Sequence, residues 1–229
     1  MNKLTLLVVT LSLPAAALAA PFEGKVDFAL TSGRGQPQRM TYQLKGDKLR
    51  MELPTPQGKG TMLVDPAKKE MLMLMDEQRM YMVMAMPDVQ AQAAEAASGD
   101  AQLEKTGQKE KIAGYEAEKY IVTHEGMKTE LWLAEGLGTF MFGGGNPMMG
   151  GRGGRGAGPA MQGWERALAG KELFPLRVIS RGKDGKETFK LEATSVQKQS
   201  LPDSLFTVPA DYQKFDMGMM RGMMPGVGR

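Results

Sequence analysis

The stretch MLMLMDEQRMYMVMAM, residues 71–86, places seven methionines in sixteen positions of a 229-residue chain that has no cysteine. Thioether sulfur supports two kinds of chemistry. It is a soft ligand for Cu(I), and it offers an unbranched, polarisable apolar surface that adapts to irregular partners. Period-two spacing puts Met71, Met73 and Met75 on one face of a strand, and Met80, Met82, Met84 and Met86 on one face of its partner. Between them, DEQR at 76–79 suits a four-residue hairpin turn. Strand neighbours stand in separate rows, whereas Cu(I) needs about three converging sulfurs, so the hairpin reads as an apolar wall. The opposite faces carry Leu72, Leu74, Tyr81, Val83 and Ala85, so both sides of the hairpin need cover. On pattern alone the methionines are either core, replacing Leu or Val, or the lining of a site for a lipid or other apolar ligand. The second reading assigns all seven as ligand-binding.

Other chemistry has less support. Met217, Met219, Met220, Met223 and Met224 lie on a glycine-rich tail that could wrap around Cu(I), with Met148 and Met149 assisting, and this is the alternative reading. The single histidine, His124, falls in phase with Tyr120 and Val122, but no second histidine completes a zinc motif. Neither a nucleophile elbow nor a phosphate-cradling Gly-Lys-Ser/Thr loop occurs. The reading is a non-enzymatic protein without a cofactor. RGGRG at 152–156 has the composition of RNA-binding segments, yet the net charge of +3 is too small to argue for nucleic acid.

Export explains that exclusion further. MNK, LTLLVVTLSL and PAAALA form the basic, apolar and small-residue parts of a cleavable leader, residues 1–19. Cutting after Ala19 starts the mature chain at Ala20, because Pro21 would hinder cleavage one residue later. The expected compartment is the periplasm. The apolar run is too short to span a bilayer, and no cysteine is present to carry a lipid anchor. The expected product is a monomer with one domain over 20–216, including a Gly-rich insert at 143–159, followed by a Met/Gly-rich tail at 217–229.

Alternation dominates the elements that must position these residues. EGKVDFAL, MTYQL, KLRMEL and the segments around Tyr120–Val122, Met127–Leu133 and Phe189–Ala193 each present one dry and one wet face. KGDK, TPQGKG, DPAKK and GKDGK supply turns. The pattern predicts a large curved antiparallel sheet, with covering helices over 87–99 and 159–170. The latter places Met161, Trp164 and Leu168 on one face.

Within this frame, GYEAEKYIV (114–122), TELWLAEGLG (129–138) and the block from Phe174 to Phe215 carry a family likeness. Gly114, Tyr120, Leu131-Trp132-Leu133 and the closing Leu201-Pro202, Leu205-Phe206, Val208-Pro209 and Tyr212 are the matching marks. The chain resembles a DUF4412-like domain-of-unknown-function family grouped with the LolA/LolB-like periplasmic lipoprotein carriers. The likeness covers about 22–215, and Asp211 stands where the family usually has Gly. It implies an open half-barrel whose concave face is partly covered by helices and, in characterised carriers, holds acyl chains. It implies no catalytic residue.

Overall fold

The computed structural model describes residues 21–33, 35–55, 58–85, 102–124, 126–140 and 159–215. The leader and its cleavage site, Met86, the helix expected over 87–99, the insert up to residue 158 and the tail from 217 lie outside the described residues. Six strands come first: β1 (Glu23–Ser32), β2 (Gln38–Lys45), β3 (Lys48–Thr55), β4 (Gly58–Asp65), β5 (Glu70–Met75) and β6 (Met80–Ala85). Then follow β7 (Gln102–Ile112), β8 (Tyr115–His124), β9 (Met127–Ala134), α1 (Pro159–Leu168), β10 (Phe174–Arg181) and β11 (Glu187–Lys198). A 3-10 turn at Asp203–Phe206 and the short β12 (Gln213–Lys214) close the chain.

All twelve strands join one sheet in the order β12-β6-β5-β4-β3-β2-β1-β11-β10-β9-β8-β7. Two meanders therefore meet at a single long-range antiparallel seam, β1 on β11. Only β12 runs parallel to its neighbour. Register shifts at Asp27/Phe28, Pro175/Arg177, Ser180/Arg181 and Lys105/Lys109 add local bend and twist to the strands. The outcome is the open, curved antiparallel sheet with a covering helix that alternation and resemblance led us to expect.

Turn chemistry explains one of the family marks. Ala113 and Gly114, at φ 47° and 92°, form a two-residue loop between Ile112 and Tyr115. Both positions need positive φ in the hairpin turn whose twist matches the strands, and glycine supplies it without strain at the second.

One face of the sheet holds the main core. Val26 and Phe28, Met40 and Tyr42, Leu49 and Met51, Met62 and Val64, Leu131 and Leu133, Val178, and Leu191 are all buried there. Helix α1 lies over β8 and β9 on that side. At ten residues it is too short to persist alone, and burial of Trp164, Ala167 and Leu168 holds it. Gly170, at φ 71°, follows its last turn.

The opposite, convex face is mostly wet. Arg177 pairs with Glu110 and Glu192, Lys119 with Glu130, and both cations lie over the Trp132 ring, 5.1 and 4.9 Å from its centroid. The closing block Leu201–Tyr212 crosses this face over β3 and β4, where Leu63 lies beside Arg50 and Glu52. Leu63, Leu74, Leu201 and Phe206 are buried here, outside the main core. Polar ties fix the block in place. Lys45 Nζ donates to the Leu201 carbonyl (2.6 Å), Arg50 Nη1 to the Leu205 carbonyl (3.0 Å), and Tyr212 Oη to Asp76 Oδ1 (2.9 Å). Asp211 pairs with Arg79 of the β5–β6 turn at 3.4 Å.

Phe206→Ala should therefore cost about 3 kcal/mol in urea unfolding, the usual scale for deleting a buried ring. Loss below about 1 kcal/mol would show that the closing block adds no core of its own.

Candidate functional site

The sheet register decides how the methionines are arranged. Met71 pairs with Met84, Met73 with Met82 and Met75 with Met80 across β5 and β6. On the inner side, Met73 faces Met62, which faces Met51, which faces Tyr42. Directly paired residues share a face, so Met51, Met62, Met73 and Met82 form one row across four strands, on the face that holds the main core. The Met-bearing face is thus the one that holds the main core. Leu72, Leu74, Tyr81 and Val83 look to the convex side, where Leu74 is 1 % exposed against the closing block and Leu72 is half-buried.

The wall is not uniform. Met71 is 7 % exposed and belongs to the main core, and Met84 packs against that core from a half-buried position. Met82 is 5 % exposed yet lies outside the main core. Met73, Met75 and Met80 are half-buried and also outside it. Burial therefore alternates within the hairpin, with Met71 and Met82 covered and Met73, Met75, Met80 and Met84 partly open.

The other half of the concave face is filled. Phe28, Tyr42, Phe140, Phe174 and Trp164 interlock, with ring centroids 5.1 to 6.4 Å apart. These edge-to-face and stacked contacts pack the rings against one another and against Trp164 of α1. His124, in phase with Val122 as expected, turns toward the helix. A Cβ placed at Gly163 would lie 3.0 Å from the Cβ, Cγ and Cδ2 of His124, so this mid-helix glycine lets α1 approach β8.

Three polar atoms at the helix are enclosed without a partner among the described residues: His124 Nδ1, Trp164 Nε1 and Glu165 Oε1. Burial pushes the Glu165 carboxyl well above the usual carboxylate range. The sequence pattern singles out Met161, Trp164 and Leu168 in this segment and carries no mark of Glu165. Among the described residues, no cluster of three or more His, Cys, Asp or Glu is placed to hold a metal ion. No helix there is long and apolar enough to cross a membrane. Met86 and the five tail methionines weighed for Cu(I) lie outside the described residues, as do Met148 and Met149.

Comparison with known proteins adds the following. In solved structures the chain is similar to PNGF-II in a P21 crystal form, at 15 % identity and TM-score 0.48, over 88 % of this chain and 33 % of that one. An uncharacterized conserved protein from Thermus thermophilus is similar at 14 % identity and TM-score 0.46, over 86 % of this chain and 91 % of that one. The Pseudomonas aeruginosa MucA/MucB complex contains a chain similar at 12 % identity and TM-score 0.47, over 82 % of this chain and 56 % of that one. The chain thus spans about a third of PNGF-II and just over half of the MucA/MucB chain. Likenesses at this level carry no argument about chemistry. No curated protein matches. A family profile described as a domain of unknown function, DUF4412, matches residues 22–212, and the chain belongs to that family.

The buried carboxyl yields a test of the site's electrostatics. Because the folded state raises the pKa of Glu165, it favours the protonated acid. Its contribution to stability is complete below the unfolded carboxylate range and is lost as pH rises through the raised value. Glu165→Gln should match wild type in urea unfolding below the unfolded carboxylate range and exceed it increasingly as pH rises to neutral and above. An unchanged pH dependence would mean that Glu165 is solvated.

Proposed function

We propose that the protein is a non-enzymatic binder that holds a lipid or other apolar ligand against the methionine strip of its concave face. The expected leader places this activity in the periplasm. The observation that carries the reading is the half-buried state of Met73, Met75, Met80 and Met84 on a face that is otherwise tightly packed. Met71 and Met82 back the strip from buried positions.

Magnitudes narrow the ligand class. Full burial of an apolar side chain contributes roughly 1.5–3 kcal/mol, so completing the burial of a half-covered methionine adds about 1 kcal/mol. Four such residues supply about 4 kcal/mol, which alone corresponds to millimolar affinity. A ligand that buries about five of its own methylenes adds roughly as much again and reaches the micromolar range. The strip therefore favours an extended alkyl chain over a compact apolar molecule. Thioethers suit such a ligand, because they repack around chains of different length and unsaturation.

Fluorescence titration with pyrene-labelled hexadecanoic acid tests the reading. Wild type should bind saturably, and Met75→Gln combined with Met80→Gln should weaken binding at least about tenfold, or roughly 1.4 kcal/mol. Both positions are half-buried, so the unfolding midpoint should hardly move. Equal affinity of the double variant, or no saturable binding by wild type, would remove the strip as the ligand surface.

A further inference from the structure

The β5–β6 hairpin sorts its apolar residues by chemistry as well as by face. On the face that holds the main core, every hairpin position is methionine: Met71, Met73 and Met75 on β5, and Met80, Met82 and Met84 on β6. The opposite face uses Leu72, Leu74, Tyr81 and Val83 instead. Adaptable shape is one property that sets a thioether apart from leucine. The other is a reactive sulfur lone pair, which makes methionine oxidisable. No cysteine is present in the chain to intercept an oxidant first. Access then selects the sulfurs that react. Met73, Met75, Met80 and Met84 are half-buried, whereas Met40, Met51 and Met62 are at most 1 % exposed. Each cross-strand pair of the hairpin has at least one open member, since Met75 faces Met80, Met73 faces Met82 and Met84 faces Met71.

We propose that Met73, Met75, Met80 and Met84 form a modification site, at which a hypohalous acid converts thioether to sulfoxide and turns off apolar binding. With hypochlorous acid, the sulfur lone pair bonds to chlorine and hydroxide leaves. Water then bonds to sulfur, chloride departs, and one of the two released protons neutralises the hydroxide. Sulfur loses two electrons and chlorine gains two, so the products are sulfoxide, chloride and one proton. The new S–O dipole seeks a hydrogen-bond donor, and an alkyl chain lying on the strip offers none. Sulfoxides therefore expel the chain that thioethers hold. The change is reversible, because a dithiol-dependent sulfoxide reductase removes the oxygen as water. The effect on binding rests on the ligand reading above, whereas the selective oxidation does not.

Limited hypochlorous acid on the full chain, followed by peptide mapping, reads the site directly. Sulfoxide at Met73, Met75, Met80 and Met84 should form at least about tenfold faster than at Met40, Met51 and Met62. Equal rates would overturn the proposal. Met127, half-buried where β9 begins and outside the strip, is the reference that oxidises without consequence. Oxidised wild type should bind pyrene-labelled hexadecanoic acid at least about tenfold more weakly than untreated protein. Combined Met73→Leu, Met75→Leu, Met80→Leu and Met84→Leu keeps the apolar volume, so this variant should bind the probe equally with and without oxidant. Oxidised wild type that keeps its affinity, or a leucine variant that loses it on treatment, would overturn the switch. Unfolding of wild type on oxidation would also overturn it, by placing these four sulfurs in the core. Untreated wild type that fails to bind the probe would remove the ligand reading and the switch together, and the oxidation map would still decide the modification site.

Discussion

Strands β5 and β6 carry apolar residues on both faces, and the rest of the molecule is organised by the need to cover them. A sheet with one wet face could have ended after β11. Here Leu63 and Leu74 on the convex side need burial, and the closing block from Leu201 to Tyr212 supplies it. The polar ties of that block reach residues of the first meander: Glu23, Lys45, Arg50, Asp76 and Arg79. Leu201 N–H donates to Glu23 Oε1 at 2.6 Å, so the block is fastened where the chain enters the sheet as well as where it ends. The seam between β1 and β11 brings those two parts of the chain together.

Cover on the concave side is divided. Over the middle of the sheet, rings from four separate elements fill the hollow, and α1 seals it through Trp164. Toward β6 the rings give way to methionines, and burial falls from complete at Met51 and Met62 to partial at Met73, Met75 and Met80, while Met82 stays buried. Rigid rings specify one packing arrangement, whereas thioethers accept several. That gradient is the physical basis for assigning ligand binding to the β5–β6 side and structural duty to the side beneath the helix. The polar atoms of His124, Trp164 and Glu165 that lack a partner among the described residues lie at the helix, and their enclosure costs stability that packing elsewhere must offset.

The parts of this architecture that were legible in the sequence are those written in period two. The alternation of Met71 to Met75 and of Met80 to Met84, the turn at Asp76–Arg79 and the strands around Phe28, Tyr42, Met51 and Leu191 all appear where the pattern puts them. Helix α1 starts at Pro159 as expected and stops two residues before Gly170. β7 left no pattern, because an edge strand rich in Lys and Glu has little to alternate. The convex cover was also illegible. Leu201 and Phe206 act through a 3-10 turn with no period, and their partners lie more than a hundred residues earlier in the chain. Periodicity could sort Met71 and Met73 onto one face, but it could not distinguish the buried residue from the half-buried one. The difference is set by place along β5, where Met71 lies against the main core and Met73 does not.

The central claim is that the outer methionines are a binding surface and the inner ones are core. Carbon-labelled methionine methyl NMR of the full chain, titrated with unlabelled hexadecanoic acid, measures both groups at once. Assigned by single Met→Leu variants, the methyl signals of Met73, Met75, Met80 and Met84 should shift saturably, while those of Met40, Met51 and Met62 stay in place. Signals of the outer four that do not move, or that move no more than the buried three, would contradict the account.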